Sequence, residues 1–550
     1  MLHDAWTKAG VTPSPRADDA TFLRRAYIDL AGTLPPPDEI ERFLADTSEG
    51  KRAKLVETLL ASPAYAEHWM NYWDDVLMGR EVKGKDVDRG AFRAWLRAEL
   101  AKNTPWDKLV YELMTATGQN SQGGDRMKVA MGMPVADPEP DAEKDAGAAV
   151  NGAVNWTLRH VDAPADLAGN ASRIFLGVQI QCAQCHDHKT EKWKQTDFQK
   201  FSAATLHLSV EAIDKGKTAG IRRVNLVDAP RVFPRIGKTP DLAPIAKSQA
   251  TALDGTSLEK AQDTRKTLAS WMVQAKNPWF ARAFVNRMWG HFMGRGFIDP
   301  VDDVRPSNPA VVPELLDALA DDFAAHGFDV KRLFRNITAL EPYHLSASAS
   351  AHTDPDNHLW GNFRLVPLGP EEMLNSVFAA TSLDGAAKRA GLPNLPQLRY
   401  QLVRSFTFLF DVDEEFDTRD YEGSISQALT LLNGSLTNLG SRALPGTALD
   451  GILAEKKSDA DVIAAIYLRT VGRKPTKDEV ERWTQYVQGA STDPPATTGA
   501  GEARKKKGKG ERSALARLAA KNPATTDPKR AAWEDLYWAL LNSSEFIFNH

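Results

Sequence analysis

A chain of 550 residues is too long for one ordinary hydrophobic core, so two or three domains are expected. Its 42% hydrophobic and 25% charged residues describe a globular protein, and a net charge of -4 with a pI near 6.3 removes the electrostatic case for a nucleic-acid partner. No apolar run reaches the length of a membrane-spanning helix, and Met1-Leu2-His3-Asp4-Ala5-Trp6 lacks the basic and apolar stretches of a secretory signal.

Residues 20 to 116 read as successive short helices. Leu55, Val56, Leu59 and Leu60 form one apolar stripe that stops at Ser62-Pro63, and Trp69, Tyr72, Trp73, Val76 and Leu77 form the next. Phe92, Trp95, Leu96 and Leu100 supply a third stripe, and Trp106, Leu109, Val110 and Leu113 a fourth. From Gly118 to Asn151 periodicity gives way to Gly, Pro, Asp and Glu, which predicts a long loop. Leu167, Ala171, Ile174 and Val178 return to helical spacing, and Phe198, Phe201 and Leu206 continue it. Over 207–236 the pattern alternates at Leu208 and Val210 and again at Val224, Leu226, Val232 and Ile236, which predicts a small β segment.

A second helical block opens with Leu268, Trp271 and Met272, breaks at Asn277-Pro278, and runs through Phe280, Phe284, Met288 and Phe292 to a Gly stop at Gly294. Pro313 starts another helix that ends at His326-Gly327, and Asp329 is placed to cap the next. Ser458 with Asp461 and Thr476 with Glu479 spell two capping boxes. Residues 488–530, with Asp493-Pro494-Pro495 and the run Arg504-Lys505-Lys506-Lys507, read as a disordered insertion. The expected fold is mainly α: a helical domain over 1–236 and a second over 237–550.

Both cysteines of the chain lie in Gln181-Cys182-Ala183-Gln184-Cys185-His186-Asp187-His188-Lys189. C-x-x-C-H is the attachment spelling of c-type haem, in which two thiols add across the porphyrin vinyl groups and the next His faces the iron. Cys182, Cys185 and His186 would fill those roles. The same residues also allow a zinc site completed by His186 or His188 and a distant His, a redox dithiol, or two structural thiols. His68, beside Trp69, and the loop thioethers of Met127, Met131 and Met133 are candidate axial ligands, each with a plainer reading as a hydrogen-bonded His or a gap-filling Met. His188 follows too closely on His186 to reach the opposite face of one porphyrin, so Asp187, His188 and Glu191 are expected to act around the ligand and tune it. No G-x-S-x-G elbow, H-E-x-x-H or P-loop supports a hydrolase.

The run from Phe22 to Gly32, and Phe175-Leu176-Gly177 leading into Cys182-Ala183-Gln184-Cys185-His186-Asp187-His188, are similar to a planctomycete-type cytochrome-c-like domain of unknown function. Phe280-Ala281-Arg282, Val285-Asn286-Arg287-Met288-Trp289, Pro300-Val301-Asp302-Asp303, Gln427-Ala428-Leu429 and Leu541-Asn542-Ser543 resemble the planctomycete-type C-terminal domain that follows it. Many members read Pro-Phe-Asp where this chain has Lys189-Thr190-Glu191, so Glu191 is the residue able to take over the acidic position. The resemblance implies an exported protein of the periplasm or cell envelope whose signal has been trimmed, holding haem c and serving electron transfer. An oxidoreductase or polysaccharide-processing enzyme is the expected partner. The rival reading is a non-haem envelope binding protein with a zinc or thiol site, its Trp residues forming carbohydrate platforms.

Overall fold

The computed structural model describes residues 1–79, 84–124, 149–161, 163–189, 191–214, 220–229, 242–259, 263–347, 354, 356–391, 434–455, 457–490 and 525–550. They form a mainly α protein, with 24 α-helices and two small antiparallel sheets among the described residues. Contacts divide the chain into two units. The first takes residues 1–15 and 60–364, and the second takes 16–59 with 365–413 and 418–550. Residues on both sides of 236 therefore share the first unit.

In the first unit the helix ends follow the local chemistry. Ser62 accepts a hydrogen bond from Tyr65 N at 3.2 Å and Pro63 takes the first helical position, opening Pro63–Met78. Asp88 opens Arg89–Ala101 and Asp329 opens Val330–Ala339 in the same way, while Gly294 at φ 75° closes Phe280–Met293. The apolar stripes meet in an aromatic core. Trp73 stacks parallel on Phe284 at 5.8 Å, Phe284 on Phe323 at 5.0 Å, and Trp106 lies 4.4 Å from Trp73. Fourteen Trp residues thus owe much of their number to packing: Trp69, Trp73, Trp106, Trp156, Trp289 and Trp360 are fully buried.

His68 is buried in this core. Its ring meets Trp69 at 5.4 Å and His291 of the neighbouring helix at 6.1 Å. The β segment holds Leu208–Ala212 paired antiparallel with Val224–Asp228, Val210 opposite Leu226. A third strand, Gly118–Gln119, comes from the stretch read as loop, since Asn120 fixes it by bonding Val224 N and the Arg222 carbonyl. Val232, Ile236 and the methionines Met127, Met131 and Met133 lie outside the described residues, as does 491–524 of the expected insertion. Its flanks are helical, Lys477–Ala490 before and Pro528–Leu541 after.

The second unit is closed by its most distant parts. Arg24, fully buried on Asp19–Ala31, donates to the carbonyls of Thr470 at 3.3 Å and Phe546 at 2.8 Å, and burial lowers its pKa to about 10. Buried Asp29 accepts from Asn549, and Val366–Pro367 pairs with Phe548–Asn549. Both capping boxes form as expected, at Ser458–Asp461 and Thr476–Glu479. The last helix stops at Leu541; Ser543 then caps a separate short helix, Ser544–Ile547.

Candidate functional site

Helix Pro164–Leu176 delivers the chain to the cysteines with Leu167, Ala171 and Ile174 buried. It ends at Gly177, whose φ of 69° suits glycine, and a Cβ there would lie 2.7 Å from Val304 Cγ2. Ser172 Oγ donates to the Val178 carbonyl at 2.7 Å, turning the chain sharply into the 3-10 turn Ile180–Ala183. Ile180 and Ala183 face the core, which sends Cys182 and Cys185 outward. Both are exposed, free thiols.

The turn is held from both ends. A Cβ on Gly169 would sit 2.3 Å from Gln181 Cγ, so the Gln181 side chain lies across a helix face kept bare for it. On the far side Gln195 Nε2 donates to the carbonyls of Gln184 and Cys185 at 3.1 and 3.0 Å, and Gln195 N donates to Asp187 Oδ1 at 2.9 Å. His188 N donates to the Trp193 carbonyl at 2.8 Å.

The two histidines are set in opposite tautomers by these backbone contacts. His186 Nδ1 lies 2.7 Å from the Asp187 carbonyl, which can only accept, so Nδ1 carries the proton and Nε2 of the neutral ring keeps its lone pair. His188 Nδ1 accepts the Glu191 N–H at 3.1 Å, so its proton sits on Nε2 and that nitrogen has no lone pair to give a metal. His186 is exposed and His188 half-buried. Asp187 and Glu191 anchor the turn: Asp187 accepts from Gln195 N, and Glu191 Oε1 accepts from Ser307 Oγ at 2.5 Å. Among the described residues no three His, Cys, Asp or Glu side chains are gathered as a metal-binding group.

Sequence reasoning missed the contribution of the Phe297–Asn308 loop. Asp302 accepts from Arg173 Nη1 at 3.0 Å and Gln179 Nε2 at 3.2 Å, and Val304 N donates to the Gly177 carbonyl at 2.8 Å. These partners stand more than a hundred residues apart, 129 for Arg173 and Asp302, which no local periodicity reveals. The only available signal was the run Pro300-Val301-Asp302-Asp303, which carried the resemblance.

The molecule is thus a mainly α protein whose two compact units alternate along the sequence, and the first presents an exposed C-x-x-C-H turn on a loop-braced scaffold. Residues 1–208 match the PSCyt2 family, described as a protein of unknown function (DUF1549), and residues 264–397 match PSD1, a protein of unknown function (DUF1553). The two matches follow one another along the chain in the order that the resemblance implied. Each matched segment contributes to both compact units, so neither coincides with one of them. No curated protein and no solved structure matches the chain. Among the described residues no helix is long and apolar enough to cross a membrane.

Proposed function

We propose that the protein is an exported c-type haem protein of the cell envelope that acts in electron transfer. Cys182 and Cys185 would hold the group through thioethers, and His186 would supply the axial imidazole. The observation that carries this reading is the pairing of two exposed free thiols with a neighbouring His186 whose Nδ1–H donates to a carbonyl. A metal-bound histidine ordinarily spends its other ring N–H in that way, fixing Nε2 toward the metal. Haem, when bound, supplies reversible one-electron chemistry. The chain's own part is to expose the thiols, hold the His186 ring, and keep His188 from competing for the iron. Residues 488–530 are read with this as an insertion that takes no part in the site.

The test is expression with an export signal in a host able to mature cytochromes c. A red protein that keeps its colour through acid–acetone extraction is expected, because thioether links survive denaturation. Colourless protein under those conditions overturns the haem reading and leaves an exposed dithiol as the working chemistry of the turn.

A further inference from the structure

The cysteine turn belongs to the PSCyt2 segment, yet its approach is gripped by the PSD1 segment. The gripping loop is rigid for reasons visible in its own residues. Buried Asn286 donates to the carbonyls of Ile298 and Val301 at 2.9 and 3.0 Å and accepts from Ile298 N at 2.9 Å, which closes the loop on its helix. At Gly296 a Cβ would meet the Ile298 carbonyl at 2.5 Å, so the backbone passes too close for any side chain. From this loop Asp302 projects inward with 9% of its side chain exposed. It faces Arg173 at 3.0 Å, Arg287 at 3.6 Å and the Gln179 amide at 3.2 Å.

Those contacts divide into two kinds. Arg287 lies on the same segment as Asp302, so that ion pair steadies the loop itself. Arg173 is in the last turn of the helix that leads to the cysteines, and Gln179 stands three residues before Cys182. A single buried carboxylate thus holds the chain on both sides of the Gly177 corner. Charge-assisted bonds of this kind are directional and lose their strength when the acceptor becomes neutral.

We propose that Asp302 is the positioning residue of the Cys182–Cys185 turn, acting through Gln179 and Arg173. In this role the PSD1 segment completes a site whose thiols come from PSCyt2. The inference rests on the turn being the working site, and does not depend on what the turn binds.

The experiment uses the full chain, reduced and free of haem, in Asp302→Asn and Gln179→Ala forms. Asp302→Asn keeps the volume and removes the charge. Gln179→Ala leaves the Asp302–Arg173 pair intact and cuts only the tie to the turn, so it remains informative if the first variant does not fold. Each protein is equilibrated with glutathione redox buffers, and the fraction carrying a Cys182–Cys185 disulfide is read by alkylation and mass spectrometry. Each disulfide formed oxidises two thiols to one S–S bond and reduces one oxidised glutathione to two thiols.

Release of the turn is expected to change the equilibrium constant at least threefold, which is about 14 mV for a two-electron couple. Circular dichroism should show folded protein at the same temperature. A dithiol equilibrium unchanged in folded Gln179→Ala, and in Asp302→Asn if that folds, overturns the proposal whether or not the exported protein is red. A shifted equilibrium in a protein that proves colourless after export upholds the positioning role while the haem reading falls.

Discussion

Glu479 lends itself to a quantitative test because its partners are fixed and its ordinary behaviour is known. Arg473 donates to both its oxygens at 2.9 Å, and Thr476 N donates to Oε2 at 2.7 Å. The Arg473 bonds, opposed by partial burial and assisted by the Thr476 N–H, lower the carboxyl pKa from 4.5 to about 2. At 1.36 kcal/mol per pKa unit this fall corresponds to about 3.4 kcal/mol without screening. The side chain is 24% exposed and Arg473 30%, so water and salt reduce the figure to about 1–2 kcal/mol. A carboxyl that titrates lower in the folded state contributes fully above its unfolded pKa, near 4.5, and the contribution is lost as the pH falls through about 2. Glu479→Gln preserves the capping box and deletes only the charge. Urea unfolding read by pulsed hydrogen exchange in peptides from Lys477–Ala490 should show the variant less stable by about 1–2 kcal/mol at neutral pH, with the gap closing toward pH 2. A gap that is absent at neutral pH, or flat across the acid range, would refute the reasoning.

Two further outcomes follow from the cysteine turn. In haem-loaded protein His186→Ala should abolish the native iron spectrum, while His188→Ala should keep the spin state and shift the reduction potential; a His188→Ala spectrum typical of a lost axial ligand would sink the tautomer assignment. Gly169→Ala places a better helix former in Pro164–Leu176, worth about 1 kcal/mol in an open helix, yet its Cβ would strike Gln181. The melting temperature should therefore fall, and a rise would mean that Gln181 does not rest on Gly169.

Helices with strong stripes and capping residues were legible from sequence, as at Pro63–Met78 with Ser62, and so was the helix delivering the chain to Cys182. The two thiols and the histidines were legible as a motif. What the motif could not convey is which ring nitrogen each His offers, because that depends on the Asp187 carbonyl and the Glu191 N–H folding back on the side chains. Asp302 and Ser307 were hidden by distance along the chain. The make-up of the second unit was hidden for the same reason: nothing near Arg24 announces that its carbonyl partners lie beyond residue 469. The burial of His68 was not legible either, because it depends on His291 of a helix more than two hundred residues away.

The joining of residues 16–59 to 365–413 and 418–550 means that the second unit cannot close before its last helices are made. Arg24 leaves the exit tunnel hundreds of residues before Phe546, the carbonyl that receives it, has been made. At roughly 5–20 residues per second the interval is on the order of half a minute to two minutes. During that time the guanidinium destined for full burial lacks the carbonyls of Thr470 and Phe546. The intervening stretch 60–364 can settle meanwhile, but the earliest helices of the second unit are obliged to wait for the last. Any truncation near Phe546 therefore reaches back to Arg24 at the beginning of the molecule.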